Sequence, residues 1–327
     1  GATNRMGSVQ GGNAVTDFDD EERARQLSIS GAVASFEFKG KRINLIDTPG
    51  YADFLGEAYG AMRVADCAVL VVHAESGVEV ETEKTWAYAR EFGVPVIAVV
   101  NHADAERADV DKVIEQIGAK LGARVAIMGL PWGKGTSLEG VVDLAQNAGF
   151  PGGQSKVAQP AAIPADLAGQ AEELRATMVE FAAENDEALM EKFFEGGALS
   201  ADELLAGLKM GVATGLVPVT VASATRNIGT LPLLDLIIGL APSPADRPAA
   251  KGIKPHSDQV LERPADASAP FSAYCFKCVL GEGRRISLIR VLSGTAAAGA
   301  QVYNATKGDK ERLGTFGYMR GGELMDC

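Results

Sequence analysis

The chain has 327 residues, four cysteines and a net charge of −12, with 46% hydrophobic and 23% charged residues. That length exceeds one typical domain, and the acidic balance excludes a general nucleic-acid glove, so any RNA contact needs a local basic patch. The longest clean apolar runs, 67–72 and 94–100, are too short to span a bilayer, and four cysteines at this length form no disulfide framework, which points to a reducing, cytoplasmic setting.

Residues 1–13 are Gly-rich and polar and read as loop. The acidic run 17–22, followed by Arg23-Ala24-Arg25, reads as a solvated face or a short helix start. Residues 30–38 and 43–48 read as a strand pair around Lys39-Gly40-Lys41-Arg42, a turn with glycine inside it. Within the second strand, Ile43-Asn44-Leu45-Ile46 is expected to be buried on both faces. It ends in Asp47-Thr48-Pro49-Gly50-Tyr51. In open α/β sheets, ligands bind beyond the carboxyl ends of the strands. Asp47 is therefore a candidate support for hydrated Mg²⁺, a hard ion that prefers oxygen. Gly50 lets a backbone N–H approach a terminal phosphate. Asp-Thr-Pro-Gly is also an ordinary turn sequence.

The pattern then alternates. A helix is expected over 53–64, a buried strand over 67–72, and a helix over 79–92 closed by Gly93. A buried strand over 94–100 ends in Asn101-His102-Ala103-Asp104. A helix over 108–121 and a short strand over 124–128 follow. This alternation predicts a doubly wound, mainly parallel α/β sheet. Residues 130–217 break the rhythm and read as an insertion, with loop over 149–164 and helices over 165–183 and 201–210. The sheet resumes at 216–222, ending in Ser223-Ala224, before a helix over 231–240 with Thr230 as N-cap. Residues 241–270 are proline-rich and read as linker. Residues 271–327 change to short β-rich runs between Gly turns, as at the start of a β-barrel.

Three loops, each after a strand expected to be buried and parallel, carry the chemistry. Asp47 and Gly50 stand on the first, Asn101 and Asp104 on the second, Ser223 and Ala224 on the third. An aspartate on the second loop can accept from guanine N1–H and the 2-amino group. Adenine lacks both donors, and an unpaired buried acceptor is costly, so this acid would select GTP over ATP. The Ala224 N–H is expected to meet guanine O6. Asn101 is read as a strand-end cap or as a tie between the base and phosphate loops.

These residues resemble the translational GTPases, and elongation factor G among them. Asp47-Thr48-Pro49-Gly50-Tyr51-Ala52-Asp53-Phe54 is similar to that family's Asp-Thr-Pro-Gly-His-x-Asp-Phe. Arg25-Gln26-Leu27-Ser28-Ile29 is similar to its first switch, Arg-Gly-Ile-Thr-Ile. Asn101-His102-Ala103-Asp104 resembles Asn-Lys-x-Asp, and Ser223-Ala224 resembles its last guanine loop. Phe276-Lys277, Arg290-Val291-Leu292-Ser293-Gly294 and Val302-Tyr303-Asn304 resemble its second, barrel domain. The resemblance implies a G domain of the P-loop NTPase type over 1–245, with an inserted subdomain at about 130–217 where elongation factor G carries one. A linker over 246–270 and a partial β-barrel over 271–327 would follow. It implies GTP/GDP and Mg²⁺ as ligands, with Ser28 and Asp47 on the metal, Gly50 on the terminal phosphate and Tyr51 at the attacking water. Asn101, His102, Asp104, Ser223 and Ala224 would hold the base. The implied partner is the ribosome, its RNA and proteins, met through the switch regions and the barrel. No membrane or DNA partner and a monomeric state are expected.

The departures shape the functional reading. Tyr51 replaces a histidine, as in a divergent elongation-factor-G-like subgroup; Ser28 replaces a threonine but keeps a hydroxyl; His102 replaces a lysine that packs on the base. No Gly-x-x-x-x-Gly-Lys-[Ser/Thr] phosphate loop occurs. In the family it lies just upstream of residues resembling Gly1-Ala2-Thr3 and Met6-Gly7-Ser8-Val9. The chain thus reads as an internal piece of a longer protein, poor at binding nucleotide by itself. Three functions fit: GTP hydrolysis on the ribosome for translocation or recycling; GTP or ribosome binding without appreciable turnover, which Tyr51 favours; and a sister factor for ribosome protection or peptide release.

Other signals are set aside. Cys275-Phe276-Lys277-Cys278 has Cys-x-x-Cys spacing but no second pair for zinc, and strand positions three apart face opposite sides. His73 reads as a strand-end histidine and His256 as linker. Trp86 and Trp132 read as packing. Arg284, Arg285, Arg290, Lys307, Lys310 and Arg312 read either as a basic barrel face for RNA or as solvated turns.

Overall fold

A computed structural model of the chain describes residues 7–153, 159–281 and 284–326. The segment Gly1-Ala2-Thr3, Met6, part of the Gly/Pro-rich stretch after 149, Cys327 and the side chain of Arg284 lie outside the described residues. The residues before Cys67 and after Pro242 form one compact unit, and Cys67–Pro242 form another.

The first unit opens with α1 (Asp20–Arg25), started by a capping box in which Asp19 accepts from the Glu21 N–H and Glu22 accepts from the Asp19 N–H. The helix-start reading of the acidic run holds, but a fully solvated face does not: Asp17 and Glu22 are buried. Glu22 Oε1 also accepts from the Ile29 and Ser30 N–H groups, at 3.0 Å each. Three backbone donors satisfy a carboxylate that would otherwise be costly to bury. Then come β1 (Ala32–Phe38) and β2 (Lys41–Asp47). Lys39 and Gly40, at φ 46° and 72°, form the two-residue turn between them. Positive φ at both central positions is the hairpin geometry that matches strand twist. This corrects the reading of β2 as a buried parallel strand: it pairs antiparallel with β1, and Leu45 is exposed. Four apolar-leaning residues fit a buried strand or a hairpin arm equally well, and the turn decides. A 3₁₀ turn at Ala52–Phe54 leads into α2 (Leu55–Met62).

The second unit contains β3 (Ala68–His73), α3 (Val80–Glu91), β4 (Val96–Asn101), α4 (Val110–Leu121) and β5 (Arg124–Ile127). It continues with β6 (Gly129–Trp132), β7 (Gly140–Asp143), β8 (Ala148–Pro151), α5 (Ala168–Ala183), α6 (Glu187–Phe194) and α7 (Ala201–Ala213). β9 (Leu216–Val221) and α8 (Thr230–Leu240) complete it. The main sheet is parallel in the order β3-β4-β9-β5. β4 and β9 lie inside it and are buried almost throughout, as their continuous apolar runs require. β3 is an edge strand in this sheet, so the run expected to be buried leaves Val71 59% exposed. Within 130–217, β6, β7 and β8 form an antiparallel sheet absent from the sequence reading, with β8 falling where loop was expected. Trp132 lies over Gly140 and Gly149 there, where an added Cβ would come within 3.0 and 3.3 Å of its ring. α5 and α7 pack into the same apolar core as β4, β5, β9 and α8. Thr230 opens α8, and Gly229, at φ 74°, takes the N-cap position expected for Thr230.

The chain then returns to the first unit. The proline-rich stretch expected as linker holds a hairpin, β10 (Ala250–Ile253) with β11 (Val260–Arg263). Three antiparallel pairs follow: β12 (Ser272–Gly281) with β13 (Arg284–Ser293), β14 (Gln301–Asn304) with β15 (Asp309–Arg312), and β16 (Gly317–Arg320) with β17 (Glu323–Asp326). β12 carries a bulge. Cys275 pairs with Ile289 and Lys277 with Leu288, which leaves Phe276 as an extra residue. Outward positions run Ala273, Cys275 before the bulge and Cys278, Leu280 after it. The bulge shifts the alternation by one, so Cys275 and Cys278 share a face, against the sequence expectation. Among the described residues no helix is long and apolar enough to cross a membrane.

Candidate functional site

In the Cys67–Pro242 unit the parallel pairing of β4 and β9 brings their C-terminal loops together. The Ala222 N–H donates to the Val100 carbonyl at 2.9 Å, and the Ala103 N–H to the Ala222 carbonyl at 3.2 Å. Asn101 Oδ1 accepts the Ala224 N–H at 3.0 Å. That N–H was expected to face guanine O6; here it ties the two loops. Ser223 is fully buried, and its backbone exchanges hydrogen bonds with Ile228 at 3.0 and 2.9 Å, closing a tight loop. Its hydroxyl lies 3.4 Å from that of Thr225. Gly229 is required just after: at φ 74°, an added Cβ would sit 2.3 Å from the Val221 carbonyl oxygen.

His102 takes φ 59° and stacks its ring on His73 at 4.7 Å between centroids. His73 Nδ1 accepts the Glu75 N–H at 3.1 Å. Asp104 is half-buried, and among the described residues its carboxylate meets no donor. Asn101, His102, Asp104, Ser223 and Ala224 thus occupy one corner of the parallel sheet, with Asp104 left as its unspent acceptor.

In the other unit, Ser28 and Asp47 gather at Asp17. The Ser28 hydroxyl donates to Asp17 Oδ1 at 2.7 Å. Burial pushes the Asp47 carboxyl above its ordinary range; the Asp17 and Glu22 charges push the same way, while the Thr16 hydroxyl and Thr48 N–H pull back. Among the described residues no three metal-ligating side chains converge to cage an ion. A half-buried acid with acid neighbours, one of them bonded to a hydroxyl, nonetheless fits a hard cation that keeps several waters. Gly50 is exposed with open space where a Cβ would stand, and Tyr51 is 62% exposed. Asp17 and Glu22 were missed because a charge run reads as surface; the spacing Asp19-x-x-Glu22 was the available signal.

The same unit holds an anchor that the sequence did not disclose. Lys277 of β12, with 12% of its side chain exposed, donates to the Ser30 hydroxyl, to the Gly31 carbonyl at 2.8 Å and to Glu57 Oε2 at 2.5 Å. Glu57 Oε2 also accepts the Gly31 N–H at 2.8 Å. Arg290 pairs with Asp66 at 2.6 Å and donates to the Val64 carbonyl, which removes it from any RNA-facing group. Lys307 pairs with Glu311, and Arg312 donates to the Gly299 carbonyl.

A family model described as the elongation factor Tu GTP binding domain matches residues 1–243. Elongation factor G 1 of Geobacter sulfurreducens (strain ATCC 51573 / DSM 12127 / PCA) is 38% identical over 317 residues, covering 96% of this chain and 46% of that protein. The crystal structure of ttk003000868 from Thermus thermophilus superposes with a TM-score of 0.85 at 29% identity, over 100% of this chain and 46% of its own. The chain thus spans about half the length of the curated relative it matches. By this match the chain belongs to the elongation factor Tu GTP-binding domain family, as an elongation-factor-G-like translational GTPase.

Proposed function

We propose that this protein hydrolyses GTP on the ribosome, in the cytoplasm, to drive translocation or ribosome recycling. The observation that carries the reading is the Asn101–Ala224 hydrogen bond, which locks two strand-end loops while leaving the Asp104 carboxylate without a donor among the described residues. Asp104 accepts from guanine N1–H and the 2-amino group. Asn101, Ser223 and Ala224 hold the loops for it, and His102 offers a flat ring to the base. In the other unit, Ser28 and Asp47 would hold Mg²⁺, Gly50 would give its N–H to the terminal phosphate, and Tyr51 would stand at the attacking water. Mg²⁺, when bound, neutralises charge developing on the phosphates. The ribosome is the partner, met through the segment around Ser28, the segment around Gly50 and the barrel strands.

The test uses protein expressed from the complete open reading frame. Xanthine carries a carbonyl where guanine carries the 2-amino group, so Asp104→Asn should match xanthine and mismatch guanine. We expect guanosine diphosphate binding to fall about 100-fold or more and xanthosine diphosphate binding to rise, by analogy with sites built around one polar group. Multiple-turnover GTP hydrolysis should require ribosomes. Equal affinity for adenosine and guanosine diphosphates would overturn the base assignment. Guanine binding without turnover, with or without ribosomes, would replace the GTPase with a binding protein.

A further inference from the structure

The bulge in β12 does more than bend a strand. It places Cys275 Sγ 3.9 Å from Cys278 Sγ on one exposed face. A disulfide needs about 2.05 Å between sulfurs. Phe276 is free of ladder pairing, so the backbone at the bulge can adjust along with the two exposed side chains to close that gap. Among the described residues no third histidine, cysteine or carboxylate joins them, so the pair lacks the ligand set of a metal site.

We propose that Cys275 and Cys278 are a thiol–disulfide couple whose closure acts, through Lys277 between them and next to the bulge, on the Ser30–Gly31 segment and on Glu57. The two thiols are unequal. The Ser287 hydroxyl, 3.6 Å away, and the Arg285 cation hold the Cys278 thiol below its ordinary range, while partial burial and the neighbouring sulfur hold Cys275 above it. Cys278 is therefore the attacking sulfur and Cys275 the resolving one.

The oxidant is a low-molecular-weight disulfide, RSSR. The Cys278 thiolate attacks one sulfur of RSSR, forms the mixed disulfide and expels RS⁻. Cys275 then gives up its proton to solvent and attacks the Cys278 sulfur. The Cys275–Cys278 bond forms, the mixed disulfide breaks and a second RS⁻ leaves. The protein loses two electrons and two protons, and RSSR gains the two electrons to become two thiols.

Lys277 makes this couple consequential within its own unit. Its ammonium reaches Ser30, Gly31 and Glu57, two residues beyond Ser28 on one side and in the helix after Tyr51 on the other. Drawing positions 275 and 278 together reshapes the backbone that aims this side chain.

The experiment uses the complete protein with Cys67→Ser and Cys327→Ser, equilibrated with oxidised and reduced glutathione. Lys277 is a tryptic site between the cysteines, so after denaturing digestion an internal bond leaves two peptides covalently joined. We expect that joined species, a loss of two hydrogen atoms in intact mass, and at least about a tenfold slower reaction with oxidised glutathione in Cys278→Ser than in Cys275→Ser. We also expect faster hydrogen exchange at the Gly31 amide on oxidation, with no change in Cys275→Ser. Two glutathiones per chain without a joined peptide, or two persistent thiols, would overturn the couple. An internal bond with unchanged exchange at Gly31 would overturn its action through Lys277.

Discussion

Asp47 carries a charge that its surroundings resist. Burial holds its carboxyl above the ordinary 3.8, with Asp17 and Glu22 adding to the effect. The folded state therefore binds this proton more tightly than the unfolded state does. The group's contribution to stability is fully present below pH 3.8 and is lost as pH rises through the raised value, so at neutral pH it is a penalty. Asp47→Asn should raise the nucleotide-free Tm at pH 7, and the gap to the parent should narrow as the pH falls. Thermal scans across pH check this; a constant gap would assign the gain to something other than charge. Tyr51 is the second residue on which the proposed function turns. It is exposed, and it keeps a hydroxyl but not an imidazole. Positioned acid–base groups are worth roughly 10²–10⁴-fold. Tyr51→His should raise ribosome-stimulated GTP turnover, by up to roughly 10²-fold at the low end of that range; a slower variant would show that the tyrosine is the fitted residue. Residue-level legibility was uneven. The resemblance aligned Gln26 with a glycine, and the backbone there is left-handed at φ 54°, as that glycine would suggest. Nothing in the sequence distinguished Lys277 from a solvated lysine, because its partners Ser30, Gly31 and Glu57 are more than 200 positions away.

Elements were legible where one signal sufficed. The apolar runs of β4 and β9 and the period of α4 fixed their type and place, because burial on both faces or on one helix face leaves a pattern. Direction and register were not in that pattern. The pairing of β1 with β2 was legible from its glycine turn, although the composition of β2 reads as an inner strand; β12 loses its alternation at a bulge that no residue type announces. The loop between β9 and α8 is the element on which the proposed base-reading corner depends, and it turns at Gly229. Any side chain there meets both a left-handed backbone and the Val221 carbonyl at 2.3 Å. Gly229→Ala should cost more than about 1–2 kcal/mol, the usual penalty for the left-handed backbone alone. Guanine affinity should fall with it, because Ser223 and Ala224 lose their frame. Denaturant unfolding and nucleotide binding on the same samples check both; a variant with parent stability and parent affinity would detach the loop from the site.

At the scale of the molecule, the question is whether 130–217 rides on the sheet or belongs to it. The sequence marked this stretch as an insertion because the strand–helix alternation stops there. Among the described residues its helices share their core with the sheet: Met178 and Ala182 of α5 and Leu204, Leu208 and Val212 of α7 pack in one cluster with Ile97 of β4, Leu216 of β9 and Leu240 of α8. Stability of the proposed base-reading corner is thus shared with helices that carry none of its residues. Leu208 is fully buried in that cluster. Leu208→Ala removes buried methyl groups and leaves a cavity, a change that costs about 2–5 kcal/mol. Because one core serves both parts, guanine binding and the helical signal should be lost together, at one lower denaturant concentration. Unfolding followed in parallel by far-UV circular dichroism and by a fluorescent guanine nucleotide measures this on the complete protein. If the helical signal fell first while nucleotide stayed bound, the insertion would be a separable appendage and its shared core energetically idle.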